Sequence, residues 1–387
     1  MQKTLPPATA VWLAQTPYDV REVKAGQNFN PAAKQLTRFF DFSQTGGVIH
    51  ATSGTVLSTI FNRSTGFAVV GKGKDRFTGD VALGIRGTKF TSGRDWFSNA
   101  NASLATADNN SMVHSGFQKV FRSMQPALEK QLAPLLNTNS NGVVHCAGHS
   151  LGGALANLAA IWIKQRFGNR VALYTFGAPR VGLNDFALKS SGSIDKIYRC
   201  LHGDDPVPMV PVWPFFHAPL NGCSVLLTSA TGINISSHSM MENPGYVTTS
   251  RGQWEDLQRH GDTIKAVRLA YERRFECSFS THWQERLTHA LITLLKDAGF
   301  LTAVSVQMSI GGIMTFYDHL AATIEKVALM SPQFETQVMG LLGHMLVFAG
   351  KLTVTITELS ARFIRWVFNV TLNAMYSAAR KAIEMVS

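Results

Sequence analysis

The chain has 387 residues, of which 45% are hydrophobic and 16% are charged, and its formal net charge is +11. This balance excludes global disorder and indicates either a large core or contact with membranes. The basic charge favours anionic partners such as acidic lipid headgroups, or serves solubility alone. The sequence has no zinc spacing, aromatic-rich RNA-binding signature or long Lys/Arg run, so nucleic acid is the weaker interpretation.

The first residues make a poor signal peptide. Pro6 and Pro7 follow a single lysine, and the apolar stretch Ala10–Ala14 is shorter than the roughly 7–15 residues that the apolar core of such a peptide needs. We therefore expect a protein that is cytoplasmic as made. The four cysteines contain no CxxC pair, and nothing in their spacing requires an oxidising compartment.

Short apolar runs alternate with helical stretches between about residues 29 and 245. Continuous apolar runs between helices are typical of a parallel sheet that is covered on both faces. The sequence therefore predicts an α/β fold with a mostly parallel central sheet. The predicted strands include Gly66–Val70, Asp80–Arg86, Gly142–Ala147, Arg170–Phe176, Ile197–Leu201 and, as the last of them, Cys223–Leu227.

The β signals stop after about Arg251, so we divide the chain into an α/β domain, 1–262, and an all-helical, apolar C-terminal region, 263–387. Ser331 and Pro332 predict a helix start. The uncharged run Ala298–Tyr317 is long enough to span a bilayer, but polar residues and Gly311–Gly312 weaken that interpretation. A packed helical bundle is favoured over helices that bind a membrane surface or a partner, and over a true membrane span.

The most informative segment is a strand-like run followed by Gly148-His149-Ser150-Leu151-Gly152 and then an alanine-rich helix. This is a G-x-S-x-G elbow in its strand–turn–helix context. Such a bend projects a serine hydroxyl to where a base can take its proton, so Ser150 is the predicted nucleophile. The backbone N–H of Leu151 is then one oxyanion donor. The alternative is a tight turn without chemistry.

A carboxylate and a histidine should follow the serine in that order. Asp204 and Asp205 both follow a predicted strand, and either of them can orient a histidine. Among the later histidines, His238 lies in a polar loop beyond the last predicted strand, where a mobile base is expected. His217, in an aromatic stretch, is more typical of a structural histidine. His260 lies further on, just before the helical half.

A second oxyanion donor must come from an earlier loop. The predicted strand that ends near Ile85 leads into Arg86-Gly87-Thr88, and Thr88 offers both a backbone N–H and a hydroxyl.

Together these segments resemble the class 3 lipases, the fungal-lipase-like branch of the α/β hydrolases. The resemblance runs through most of the first 250 residues, although Lys89–Gly93 is slightly longer than usual in the family. The matching motifs, in chain order, are Arg86-Gly87-Thr88, Arg94-Asp95-Trp96, Val113–Phe117, Gly148–Ala154, Tyr174–Gly182, Asp205-Pro206-Val207-Pro208, and His238 with Tyr246.

The resemblance implies an α/β-hydrolase fold and a triacylglycerol lipase or phospholipase A1 mechanism without metal or cofactor. Ser150 is the nucleophile and His238 the base. The resemblance selects Asp205 over Asp204, because the family's acid immediately precedes the x-Val-Pro sequence.

The resemblance also implies a lid. It would extend over about residues 89–109, with Trp96 and Phe97 covering the site in water and facing lipid when open. The alternative is an ordinary surface loop, because 99–111 is mostly polar.

The helical C-terminal region lies outside the resemblance. If the protein has a protein partner, we expect that partner to bind this region. We expect a lipolytic enzyme that acts on lipid or phospholipid at a membrane surface. One version is a bacterial effector phospholipase exported by a Sec-independent apparatus. The alternatives are a soluble short-chain carboxylesterase and a catalytically silent scaffold that acts through its helical half.

Overall fold

A mixed sheet with helices on both faces organises the chain as far as Gly261. The computed structural model describes residues 3–20, 23, 29–43, 48–50, 66–87, 104–138, 141–242, 244–310 and 313–386. Within these residues the sheet has nine strands, and the predicted α/β-hydrolase architecture with a mostly parallel centre is confirmed.

The five central strands of this sheet are parallel, and antiparallel strands flank them. Numbered along the chain, the spatial order is β1-β3-β4-β7-β8-β9-β10-β11, with β2 also paired to β3. A separate hairpin is formed by β5 and β6. The bounds are β1 Phe40–Asp41, β2 Val48–His50, β3 Gly66–Gly73, β4 Val81–Ile85, β5 Leu104–Thr106, β6 Met112–His114, β7 Val143–His149, β8 Arg170–Phe176, β9 Lys196–His202, β10 Cys223–Thr228 and β11 Arg259–Gly261.

The helices divide into those that cover the sheet and those that form the C-terminal region. The first group is α1 Pro7–Asp19, α2 Lys34–Thr37, α3 Ser115–Leu136, α4 Leu151–Phe167, α5 Asn184–Ser193 and α6 Tyr246–Thr249. The second group is α7 Thr281–Asp297, α8 Leu301–Ile310, α9 Ile313–Met330, α10 Pro332–Phe348 and α11 Ala361–Val386. Short 3-10 turns lie at Asp75–Phe77, Val207–Met209, Ile235–His238 and Tyr271–Glu276.

The alternation of side chains along the central strands divides the interior into two cores. In β7, Val144 and Cys146 pack on the side of α3 and α4, whereas Val143 and Ala147 pack on the side of α1. Every residue of β7 is buried, including His145 and His149, as expected of a central strand that is covered on both faces.

Several elements of the α/β part were not predicted, among them helix α1 and strand β11. Helix α1 covers the sheet with Leu13 and Ala14 fully buried. Strand β11 pairs antiparallel with β10, so the β structure continues past Arg251, where the sequence signals stop. The run Arg259–Gly261 is polar and only partly buried, and an edge strand of this kind has no apolar alternation to reveal it.

The C-terminal helices pack against one another and against the loops that follow the sheet. Their shared core also contains Val207, Trp213 and Phe215 from the α/β part. The apolar face of α11 is covered by protein, with Val367, Leu372 and Met375 buried, and the helix packs against α9 and α10.

The run Ala298–Tyr317 is divided between α8 and α9, and Gly311–Gly312 lies outside the described residues. Among the helices that the structure describes, none combines the length and hydropathy needed to cross a bilayer. The predicted helix start is confirmed at α10, where the Ser331 side chain accepts a hydrogen bond from the backbone N–H of Phe334.

Substitution of two helical glycines tests how closely α10 packs against the segment that contains Leu269. A Cβ at Gly340 would lie 1.7 Å from the carbonyl oxygen of Leu269, whereas nothing lies within 4 Å of a Cβ at Gly192 in α5. Gly192→Ala should stabilise the fold by about 0.5–1 kcal/mol, because alanine loses less backbone entropy in a helix. Gly340→Ala should destabilise it by about 1–3 kcal/mol, because the backbone must shift. Urea unfolding measures both changes, and equal effects would contradict this packing.

Candidate active site

Ser150 lies on a sharp bend between β7 and α4. Its backbone has φ 56° and ψ −133°, outside the regions that L-residues usually adopt, and its N–H donates to the carbonyl of Phe176 at 3.0 Å. A Cβ at Gly148 would lie 2.1 Å from the carbonyl oxygen of Gly152, and one at Gly152 would lie 2.2 Å from that of Ile85. Both glycines are therefore required by close backbone approach rather than by flexibility.

Ser150, His238 and Asp205 form one hydrogen-bonded chain. The Nε2 atom of His238 lies 2.8 Å from the Ser150 Oγ, and its Nδ1 lies 2.8 Å from the Asp205 Oδ2. His238 and Asp205 are fully buried, and Ser150 is 5% exposed. The arrangement can move a proton from the hydroxyl to the imidazole while the carboxylate holds the imidazole in the required tautomer.

The Asp205 carboxylate has further donors that hold it in place. Its Oδ1 accepts from the backbone N–H of Val207 at 2.9 Å, and its Oδ2 also accepts from the Tyr246 hydroxyl at 2.7 Å. Burial, followed by the charge of Asp205, raises the pKa of Tyr246 well above its usual value. The phenol therefore stays protonated and acts as a donor to the carboxylate.

A second series of hydrogen bonds supports His238 from behind. The His149 Nε2 lies 2.9 Å from the backbone carbonyl of His238, and its Nδ1 lies 2.9 Å from the Tyr18 hydroxyl. Because a carbonyl can only accept, Nε2 carries the proton and Nδ1 accepts from Tyr18. The Tyr18 oxygen in turn accepts from the backbone N–H of Gly87 at 3.3 Å.

Burial lowers the pKa of His149 well below its usual value, and the neighbouring His238 lowers it further. The two imidazole rings lie 4.6 Å apart between centroids, at an interplanar angle of 33°. A neutral His149 therefore supports the main chain of His238 without placing a positive charge beside its ring. Sequence reasoning missed Tyr18, because it lies at the end of a helix without any local motif.

The predicted oxyanion donors are only partly described. Leu151 is the first residue of α4, where a backbone N–H has no partner within the helix, and it directly follows Ser150. Thr88, Trp96 and Phe97 lie outside the described residues. Of the predicted lid, 89–109, only the end from Leu104 is described, and Leu104–Thr106 forms strand β5.

The other candidate residues, His217, His260 and Asp204, lie apart from the hydrogen bonds that join Ser150, His238 and Asp205. His217 Nε2 bonds to the backbone carbonyl of Pro208 at 2.8 Å, and His260 Nε2 lies 3.3 Å from the Glu285 Oε1. The backbone carbonyl of Asp204 accepts from the N–H of Asn234, while the side chain of its neighbour Asp205 contacts His238. In the described ranges, no group of three or more His, Cys, Asp or Glu side chains could hold a metal ion.

Comparison with known proteins finds one matching family. Residues 82–215 match the family model described as lipase (class 3). This segment covers less than half of the chain. It contains Ser150, Leu151 and Asp205, and it ends before His238.

Three relatives illustrate the range of the similarity. A secreted mono- and diacylglycerol lipase 1 of Fusarium solani is 30% identical over 165 residues, which cover 42% of this chain and 48% of the relative. The chloroplastic phospholipase A(1) DAD1 of Arabidopsis thaliana is 32% identical over 152 residues, 34% of each chain. The toxin TseL of Vibrio cholerae is 36% identical over 103 residues, 26% of this chain and 15% of the toxin.

The chain thus spans less than half the length of each of these curated relatives. The match to the family model falls on the strands and loops that carry the elbow. Over residues 82–215 the chain is therefore similar to the class 3 lipase family.

Proposed function

We propose that this chain hydrolyses carboxylic ester bonds of lipids through an acyl-enzyme intermediate. The observation that carries the proposal is the series of hydrogen bonds from Ser150 through His238 to Asp205. The distances from His238 Nε2 to Ser150 Oγ and from His238 Nδ1 to Asp205 Oδ2 are both 2.8 Å. A serine hydroxyl becomes an effective nucleophile when a positioned base takes its proton.

In the proposed reaction, the Ser150 Oγ attacks the ester carbonyl carbon as its proton passes to the His238 Nε2. The oxyanion that forms is stabilised by the backbone N–H of Leu151 and, as the sequence predicts, by Thr88. His238 then gives the proton to the departing alcohol, which leaves an acyl group on Ser150. A water molecule, deprotonated by His238, attacks this ester, and the fatty acid departs as Ser150 regains its proton.

Lipid is the proposed substrate class for two reasons. The relatives include proteins named for mono- and diacylglycerol lipase and phospholipase A(1) activity. The formal net charge of +11 also favours an anionic phospholipid surface over a neutral one. We further propose a role as an exported effector, which the similarity to a relative named as a toxin supports.

Substitution of the acid tests the mechanism. Asp205→Asn should lower kcat by about 10⁴, because an amide no longer holds the imidazole in the required tautomer. Ser150→Ala should lower it by on the order of 10⁶. Asp204→Asn is the matched control, because His238 bonds to the side chain of Asp205 and not to that of Asp204. The Asp204→Asn variant should keep most of the activity. Rates on a soluble ester, with thermal midpoints recorded for each variant, measure these effects.

A large loss in Asp204→Asn with little loss in Asp205→Asn would show that the acid has been assigned to the wrong residue. Full activity in Ser150→Ala would show that hydrolysis does not use the elbow serine at all.

A substrate panel tests the lipid class. Purified protein is incubated with phosphatidylglycerol vesicles, phosphatidylcholine vesicles, a triglyceride emulsion and a soluble butyrate ester, with Ser150→Ala as the blank. We expect faster hydrolysis on aggregated lipid than on the monomeric ester, and faster hydrolysis on the anionic vesicles than on the neutral ones. Mass spectrometry identifies the products. A lysophospholipid that lacks its first acyl chain indicates phospholipase A1 activity, whereas fatty acid from triglyceride alone indicates a triacylglycerol lipase.

Two results would contradict the lipid assignment. Hydrolysis of the soluble ester alone, without any rise at an interface, would indicate a short-chain carboxylesterase. The absence of turnover on every substrate, equal to the blank, would indicate a scaffold that acts through its helical half.

A further inference from the structure

Two loops after neighbouring strands carry the acid and the base. The loop after β9 carries Asp205, and the loop after β10 leads to His238. One backbone bond joins the two loops, from the N–H of Asn234 to the carbonyl of Asp204 at 2.9 Å, and a second joins the first loop to the end of β10, from the N–H of Gly203 to the carbonyl of Thr228 at 3.0 Å. These loops have little regular structure, so their mutual position depends on such individual contacts.

Thr281, the first residue of α7, bridges the same two loops from the helical region. Its hydroxyl lies within hydrogen-bond distance of the carbonyl oxygens of Gly203 and of Thr231, the latter at 2.9 Å. Its backbone N–H donates to the carbonyl of Gly232 at 3.4 Å. The side chain is 5% exposed, so these bonds are shielded from water. A single hydroxyl proton is shared between a carbonyl of the acid loop and one of the base loop.

The last helix supports the same loops by packing. Helix α11 packs against two 3-10 turns. The turn Val207–Met209 begins two residues after Asp205, and the turn Ile235–His238 ends at the base. Val207 belongs to the same buried cluster as the apolar face of α11, and Ile235 packs against this cluster. The helical region therefore contacts the acid loop and the base loop through two separate elements.

We infer that the C-terminal helical region acts as a support that fixes the distance between the acid and the base, with Thr281 as its positioning residue. The inference rests on the proposed function, because it concerns the geometry of the same Ser150–His238–Asp205 chain. A displacement of about 1 Å in catalytic groups is enough to lower a rate by about 10². A residue that ties both loops together therefore affects turnover without touching the substrate.

The test compares Thr281→Val, which removes the hydroxyl and keeps the shape, with Thr281→Ser, which keeps the hydroxyl. The matched control is Thr371→Val, since Thr371 is a buried threonine of α11 whose hydroxyl bonds to the carbonyls of Val367 and Met345 within the helical region. We expect Thr281→Val to lower kcat on a soluble butyrate ester by about 10- to 100-fold with KM little changed. Thr281→Ser should restore most of this loss, and Thr371→Val should leave kcat unchanged.

Amide hydrogen exchange of the full-length variants provides a second measurement that does not depend on turnover. Residues 203–209 and 229–238 should exchange faster in Thr281→Val than in Thr371→Val at equal thermal stability. If Thr281→Val keeps its kcat, or if both loops keep their exchange rates, Thr281 only anchors α7 and the inference is wrong. A wild-type protein without hydrolysis would overturn the proposed function instead, and the exchange data would still decide whether Thr281 orders the loops.

Discussion

The geometry of the site depends on the buried negative charge of Asp205. A carboxylate without exposure to water is stable only when hydrogen-bond donors surround it, and removing one partner from a buried pair typically costs about 3–5 kcal/mol. Here the donors are His238, Tyr246 and the backbone of Val207, and they come from three separate elements after the central strands. The need to satisfy this charge therefore draws the base loop, α6 and the acid loop to one point beside the elbow.

The elbow joins this point to the sheet through backbone contacts. Gly152 packs against the end of β4, where a Cβ would meet the carbonyl oxygen of Ile85, and the N–H of Ser150 bonds to the end of β8. The bend at Ser150 is thereby held by both strands that pair with β7. Any shift of β4 or β8 along β7 would move the serine away from His238, which is held separately by Asp205.

The sequence could reveal features that have a local pattern, but not features that depend on contacts between distant residues. The buried parallel strands, the elbow and the start of α10 each have a signal within a few neighbouring residues, and the structure contains all of them. The choice of Asp205 over Asp204 came from a family motif, because adjacent aspartates have the same local pattern. The bond between Tyr18 and His149 joins residues 131 positions apart, and nothing near either residue in the sequence indicates it. Strand β11 is polar and lies at the edge of the sheet, so it too lacks a periodic signal.

The helical region supplies hydrogen-bond partners that the loops beside the site need. Irregular backbone that is buried must still find donors and acceptors. Tyr317 donates to the carbonyl of Trp213, the hydroxyl of Tyr376 bonds to the backbone of Val212, and Thr281 bonds to both loops. The contacts that hold the helices against the α/β part are thus the same contacts that order its loops. Because residues that share partners are coupled in their energies, local opening of the helical region should also loosen the loops of the acid and the base. On this argument it is the contacts between the helical extension and these loops that order the loops, although the extension lies outside the family match.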